Sequence, residues 1–304
     1  MKNGTSPKYS SLGFKDIIVQ FEDAVAVVTL NRAQERNTWS LTLVHELVKA
    51  FDLFDRDDRV RAVVLTAEPT APAFCSGADI SKGWDLLYQD ESFHEGPHAH
   101  RDTAGIVSLA ILRCRKITVV AVNGNAAGVG VTALQIPFDF RFAWSDARLL
   151  MPFVHRGVAP EGVSSYLLPR LLGHSRATAL FLSGAAVKPD SPLLQGFFYK
   201  SFPTREEIFP GALAFAKELA ANTSQTSVAM TKALLWRGAD TPEGQHLLES
   251  RTIQTLGSAA DSLEGAKSFK EKRPAKFTDT LSKNLTTWMP WWHEVGTVYR
   301  KTKL

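Results

Sequence analysis

The chain has 304 residues, 44% of them hydrophobic and 22% charged, the composition of a globular protein long enough for one large domain with a helical appendage. Its 35 Lys and Arg against 31 Asp and Glu leave a formal charge of +4. That balance suits a phosphorylated ligand, but the basic residues are scattered and argue against a nucleic-acid partner. Two cysteines, Cys75 and Cys114, form neither a metal spacing nor a disulfide framework, so a reducing compartment and no metal are expected. No apolar run is long enough to predict a membrane span or a signal peptide.

In chain order, β-rich runs at Asp16–Phe21 and Ala24–Leu30 flank the acidic pair Glu22-Asp23 and predict a hairpin. Ser40 or Thr42 can cap a helix whose apolar face is Leu43, Val44, Leu47, Val48, Phe51 and Phe54. Arg61–Ala67 predicts a short buried strand. A Pro-rich loop follows and ends in Phe74-Cys75-Ser76-Gly77-Ala78-Asp79. The polar stretch from Lys82 to Asp102 has little periodicity. Ile117–Val122 predicts a second buried strand, and a Gly-rich turn then leads into an apolar helix reaching Leu134. Phe138–Trp144 is strand-like. From Ile208 onward the pattern is helical, over Ala212–Ala221, Ser227–Arg237, Gly244–Leu256 and Ser262–Lys272. Strand-then-helix alternation predicts an α/β core, residues 14–207, with a helical C-terminal region at 208–277 and a tail at 278–304.

Two glycine turns carry the chemical signal: CSGAD at 75–79 and NGNAAGVG at 123–130. Each follows a buried strand and places glycine where the chain turns tightly with its amides exposed. Such turns offer N–H groups to an anion, particularly where a helix begins. Neither has the spacing of a dinucleotide-binding loop.

Taken together, VAVVTLNRAQERNTWS, RAVVLTAEPTAPAFCSGADI, ITVVAVNGNAAGVGVTAL and SEGAKSFKEKR resemble the crotonase (enoyl-CoA hydratase/isomerase) superfamily over roughly residues 16–276. The resemblance implies a spiral of ββα turns with a helical C-terminal trimerisation region, a homotrimer or hexamer, and an acyl-CoA thioester as ligand. Coenzyme A then enters with the substrate, and no separate cofactor is expected. It also implies that the backbone amides of Ala78 and Val129 clasp the thioester oxygen. Deprotonating the carbon beside a thioester puts negative charge on that oxygen, and preset amides stabilise the charge more than the neutral ground state. Val129 stands where the superfamily often has glycine; only its N–H is needed. The CoA end is assigned to Asp79, Ile80 and, with Asn37 beside it, Arg36. Phe269 and Lys272 match C-terminal positions that reach the ligand, often from a neighbouring subunit.

A hydratase of this superfamily needs two glutamates, one for water and one for carbon. Those positions fall on Thr132 and Phe153, neither of which can carry the proton. A different carboxylate, Glu161, lies in MPFVHRGVAPEGVSSYLLPRLLG, which resembles the peroxisomal-type 3,2-enoyl-CoA isomerases. One base suffices to move a double bond, so Glu161 is expected to shuttle a proton from carbon 2 to carbon 4; the alternative for Glu161 is a plain first-turn carboxylate favoured by a helix start. Two rival functions stay open: a hydratase or dehydratase of fatty-acid or secondary metabolism, and a non-catalytic CoA- or RNA-binding relative.

Other features are weaker. His94, His98 and His100 have no second cluster with which to hold a metal. Trp84, Leu87 and Phe93 either line an acyl pocket or pack a loop. Trp288, Trp291 and Trp292 are expected to anchor the tail. Cys75 reads as a small buried thiol. The ending Thr302-Lys303-Leu304 approaches a peroxisomal address, so peroxisome and cytoplasm are both open placements.

Overall fold

In the computed structural model the described residues are 7–80, 83 and 99–297. Trp84, Leu87, Phe93, His94, His98 and the ending Thr302-Lys303-Leu304 lie outside them.

The hairpin forms as expected: β1 (Ile17–Glu22) and β2 (Val25–Leu30) pair antiparallel with Glu22 opposite Val25. The two-residue turn sits on Asp23 and Ala24, at φ 45° and 67°. Two successive positive φ values match the right-handed twist of the strands they join. Ser40 caps α1 (Leu41–Arg56) by accepting from Leu43 N–H, and the expected apolar face is buried except for the half-buried Val48. Next come β3 (Ala62–Ala67), α2 (Thr103–Arg113), β4 (Ile117–Val122), β5 (Ala126–Ala127) and α3 (Val129–Thr132). β6 (Phe140–Trp144), β7 (Leu149–Leu150), α4 (Ser164–Leu172), α5 (His174–Ser183) and β8 (Lys200–Phe202) follow. The chain then runs through α6 (Ile208–Asn222), α7 (Gln225–Arg237), α8 (Pro242–Gly257), α9 (Ala260–Glu271) and α10 (Leu281–Asn284).

The main sheet has the order β1-β2-β3-β4-β6-β8, parallel except for the β1 edge. Every residue of β3 and β4 is buried, which is why both strands read as unbroken apolar runs. Their faces divide cleanly. Val63, Leu65, Val120 and Val122 join the larger core with α1 and α2, whereas Ala62, Val64, Val119 and Ala121 meet α6. On α6 the contact is made by Ile208, Ala212, Ala216 and Ala220, spaced four apart, and the three alanines let helix and sheet approach. The helical run that begins at 208 therefore opens with the helix that covers the second face of the sheet.

A second, narrower layer crosses the ends of these strands. It consists of β5 paired with β7 and of single bridges between Trp39 and Ala78, Cys75 and Ala126, and Leu149 and Val187. Each pass of the chain thus gives one strand to the large sheet and a short extended piece to the small layer. This is the spiral of the α/β crotonase fold.

Helices α2, α5 and α10 have no counterpart among the expected elements, whereas α4 stands where a helix start was expected after Glu161. α2, TAGIVSLAILR, is apolar on most sides, so it shows no clean stripe. α4 holds Pro169 in its interior, and α5 starts directly on Gly173. The helix expected to reach Leu134 is only four residues long.

Candidate active site

The two glycine turns are pressed together by the small layer. Ala127 donates its N–H to Cys75 O at 3.0 Å, and Cys75 bridges to Ala126. A Cβ added at Gly77 would stand 2.9 Å from Ala127 O, and one at Gly130 only 2.6 Å from Cys75 O. Glycine is required at both because backbone, not a movable side chain, fills the space. The turns are also pinned from behind. Asn37 is buried; its Oδ1 accepts from Arg32 N–H at 2.9 Å and its Nδ2 donates to Ala73 O at 3.1 Å. Ser76 donates its N–H to Arg36 O, and Trp39 to Gly77 O. Asn37 therefore holds the loop with its side chain, leaving Arg36 as the exposed neighbour.

Ala78 and Val129 donate to no protein acceptor among the described residues. For Val129 the reason is its place as the first residue of α3, where an N–H has no intrahelical partner. The conformational demand at this turn falls on Gly128, at φ 51° and ψ −119°, so a β-branched residue is tolerated at 129.

Glu161 reaches the same neighbourhood through Gly162. A Cβ at Gly162 would lie 3.3 Å from Thr132 Oγ1 and 3.4 Å from Ser108 Oγ, so the Glu161 turn rests on α3 and α2. Ser164 closes it, donating Oγ–H to Glu161 O at 2.6 Å. Gly162 and Val163 both take positive φ, 74° and 59°. Burial, followed by the negative charge of Asp102, pushes the Glu161 carboxyl from its ordinary 4.5 up to about 7. A carboxyl poised there can both take and return a proton near neutral pH. Thr132 is wholly buried, its hydroxyl donating to Gly128 O at 3.3 Å, and Phe153 is buried as well. Neither offers a carboxylate.

Asp102 did not stand out in the sequence. It is the N-cap of α2, which the missing periodicity concealed, and it meets Glu161 only in the folded chain.

Arg36, Ala78, Asp79 and Ile80 line one open cavity of about 800 Å³. Phe269 and Lys272 do not line it; they stand exposed at the end of α9, with Phe269 at 87% exposure. An apolar groove of about 1160 Å³ runs between α1 and α2, and Asp102 and Val163 lie on it. Burial pushes the Cys75 thiol up to about 12, so it is a packing residue beside the turn. Trp291 donates Nε1–H to Arg237 O at 2.8 Å, and the Arg251 guanidinium lies 4.3 Å from the Trp288 ring, tying the tail to α7 and α8. Among the described residues no group of three or more His, Cys, Asp or Glu side chains could hold a metal ion. No helix among them is long and apolar enough to cross a membrane.

Residues 20–280 match the family model described as enoyl-CoA hydratase/isomerase. The chain is 39% identical over 275 residues to Enoyl-CoA hydratase ACTT3 of Alternaria alternata, covering 90% of each protein. It is 29% identical over 219 residues to Enoyl-CoA delta isomerase 2 of Homo sapiens, covering 70% of this chain and 53% of that one. Among solved structures, an enoyl-CoA hydratase of Mycobacterium smegmatis superposes with a TM-score of 0.75 at 26% identity, over 86% of this chain and 99% of that one. Two glycine turns locked together, a raised Glu161 carboxyl on a turn that rests on α3, and these likenesses lead to one conclusion: the chain belongs to the enoyl-CoA hydratase/isomerase family.

Proposed function

We propose that this enzyme isomerises 3-enoyl-CoA to trans-2-enoyl-CoA, with Glu161 as its proton shuttle. The observation that carries the reading is the Glu161 carboxyl, raised to about 7 on a turn that rests on α3, the helix that Val129 begins, while both hydratase glutamate positions are Thr132 and Phe153. The Glu161 carboxylate removes a proton from carbon 2. The electrons of that C–H bond spread over the thioester oxygen and carbons 2 to 4, and the Ala78 and Val129 amides stabilise the oxygen's charge. The double bond settles between carbons 2 and 3 as Glu161 returns the proton at carbon 4. No atom is gained or lost. The open cavity by Arg36, Asp79 and Ile80 takes the CoA end, and coenzyme A arrives only as part of the substrate.

A second reading, water addition to a 2-enoyl-CoA, is favoured by two observations. Asp102 puts another carboxylate next to Glu161, and the relative from Alternaria alternata is named a hydratase. Mass spectrometry on a panel of 3-enoyl- and 2-enoyl-CoAs separates the two, because isomerisation leaves mass unchanged and hydration adds one water. In the isomerase reading, Glu161→Gln lowers kcat by about 10²-fold or more with little change in KM, and Thr132→Ala is nearly silent. A crippled Thr132→Ala beside a near-normal Glu161→Gln would overturn it.

A further inference from the structure

The turn that carries Glu161 is fastened from a second place in the chain. Asp102 Oδ1 accepts from the N–H of Gly105 at 2.5 Å, as the cap of α2, and from the N–H of Gly162 at 3.1 Å, sixty residues away. One carboxylate oxygen thus joins the start of a helix to the turn next to Glu161. The local sequence makes room for it. A Cβ at Gly105 would stand 2.6 Å from Asp102 Oδ2, so a larger residue there would displace the carboxylate. The turn also needs holding, because Val163 takes φ 59°, an outlying conformation for a β-branched residue. Such backbone persists where its surroundings over-determine it.

Asp102 is also the charge that acts on Glu161. The other ionisable groups on the surrounding elements are turned to different partners or held apart. Arg101 donates to Thr297 O and His100 O. α2 carries no further ionisable residue before Arg113, and α3 carries none. His155 and Arg156 are exposed on the 154–156 turn, and on α4 the Arg170 guanidinium lies 3.5 Å from the Tyr166 ring centroid. From α1, His45, Lys49, Asp52 and Asp55 face the groove that Asp102 and Val163 share, and Arg113 faces it from the far end of α2.

We propose that Asp102 is a positioning residue, fixing the Glu161 turn to the start of α2 and placing a negative charge beside the Glu161 carboxyl. The proposal rests on Glu161 being the group that moves the proton. It accounts for the second carboxylate without giving it a proton-transfer step of its own, since the oxygen that faces the turn is already occupied by two backbone donors.

The test is the pH profile of kcat and kcat/KM for Asp102→Asn and Asp102→Ala, with 13C-detected titration of the Glu161 carboxyl as a readout independent of turnover. Asp102→Asn keeps an oxygen for the two amides and loses the charge. Its acid limb and the Glu161 titration move to lower pH by about half a unit or more, while plateau kcat falls less than tenfold. Asp102→Ala loses the fastening as well, and its plateau kcat drops by about tenfold or more. If the alanine variant fails to fold, the asparagine variant alone decides. An unmoved titration in Asp102→Asn overturns the proposal. So does a loss beyond about 10²-fold at the plateau, which would make Asp102 a second proton carrier. Full activity in Glu161→Gln would instead bring down the isomerase reading, so the two failures are told apart.

Discussion

At the scale of the residue, Glu161 illustrates how placement sets chemistry. A carboxyl in water is ionised at neutral pH; burial beside Asp102 raises it from 4.5 to about 7. The same displacement costs stability, and the sign follows from proton binding. Below pH 4.5 folded and unfolded chains both hold the proton, and the site imposes no ionisation cost. Between 4.5 and 7 the unfolded chain releases the proton while the folded one keeps it, so stability falls with rising pH and levels off above 7. The full effect is of order 3 kcal/mol. Glu161→Gln should therefore match the wild type in chemical denaturation at pH 4 and exceed it at pH 8. Equal gaps at both pH values would mean that the carboxyl is not held protonated by its site.

At the scale of the element, the catalytic reading depends on how closely two turns touch. Gly130 faces Cys75 O, and a methyl there would meet it at 2.6 Å. Because that obstacle is backbone, Gly130→Ala must part the turns rather than move a side chain. Overpacking of this kind costs roughly 1–3 kcal/mol. Displacing one oxyanion donor adds a fall in kcat of about 10²-fold. Gly257, in the last turn of α8, would have nothing within 4 Å of an added methyl and serves as the control. Gly257→Ala should leave kcat unchanged and slightly raise Tm. A Gly130→Ala enzyme with normal kcat would show that the turns do not form one oxyanion site. Asn37 belongs to the same scale: its two buried hydrogen bonds make the loop a fixed part of the core.

At the scale of the molecule, the C-terminal helices are joined to the core yet leave apolar side chains outside. Arg61, preceding β3, donates to Thr223 O and Phe277 O, linking the strand to the ends of α6 and of the 208–277 region. On α8 and α9, Ile253 is 71% exposed, Leu263 64% and Phe269 87%. Large apolar side chains left exposed on two helices that pack together suit an interaction face. We propose that it is covered by further copies of the chain in a trimer or hexamer. Sedimentation equilibrium should give one of those masses, and Ile253→Asp with Leu263→Asp should give a smaller species. A wild-type monomer would refute the assembly and with it any reach of Phe269 and Lys272 into a neighbour's site.

The hairpin, α1, β3, β4 and the helices from 208 onward were legible in the sequence because each carries a local period, a cap or a run of β-branched residues. The two glycine turns were legible for a similar reason, since backbone that must turn tightly allows few residue types. Glu161 was found from the motif around it and from the loss of carboxylates at 132 and 153. What the sequence did not carry was adjacency. α2 has no polar face to give it a period, so its cap, Asp102, had no visible role until the fold brought it to Gly162. Asn37 stood in the sequence beside the segment assigned to the CoA end, and its role as a buried pin shows only in the fold, because whether a polar side chain faces a cavity or the core depends on packing from distant segments. The raised proton affinity of Glu161 is of the same kind: burial and a neighbouring charge are properties of the tertiary structure, and no local stretch of chain determines them.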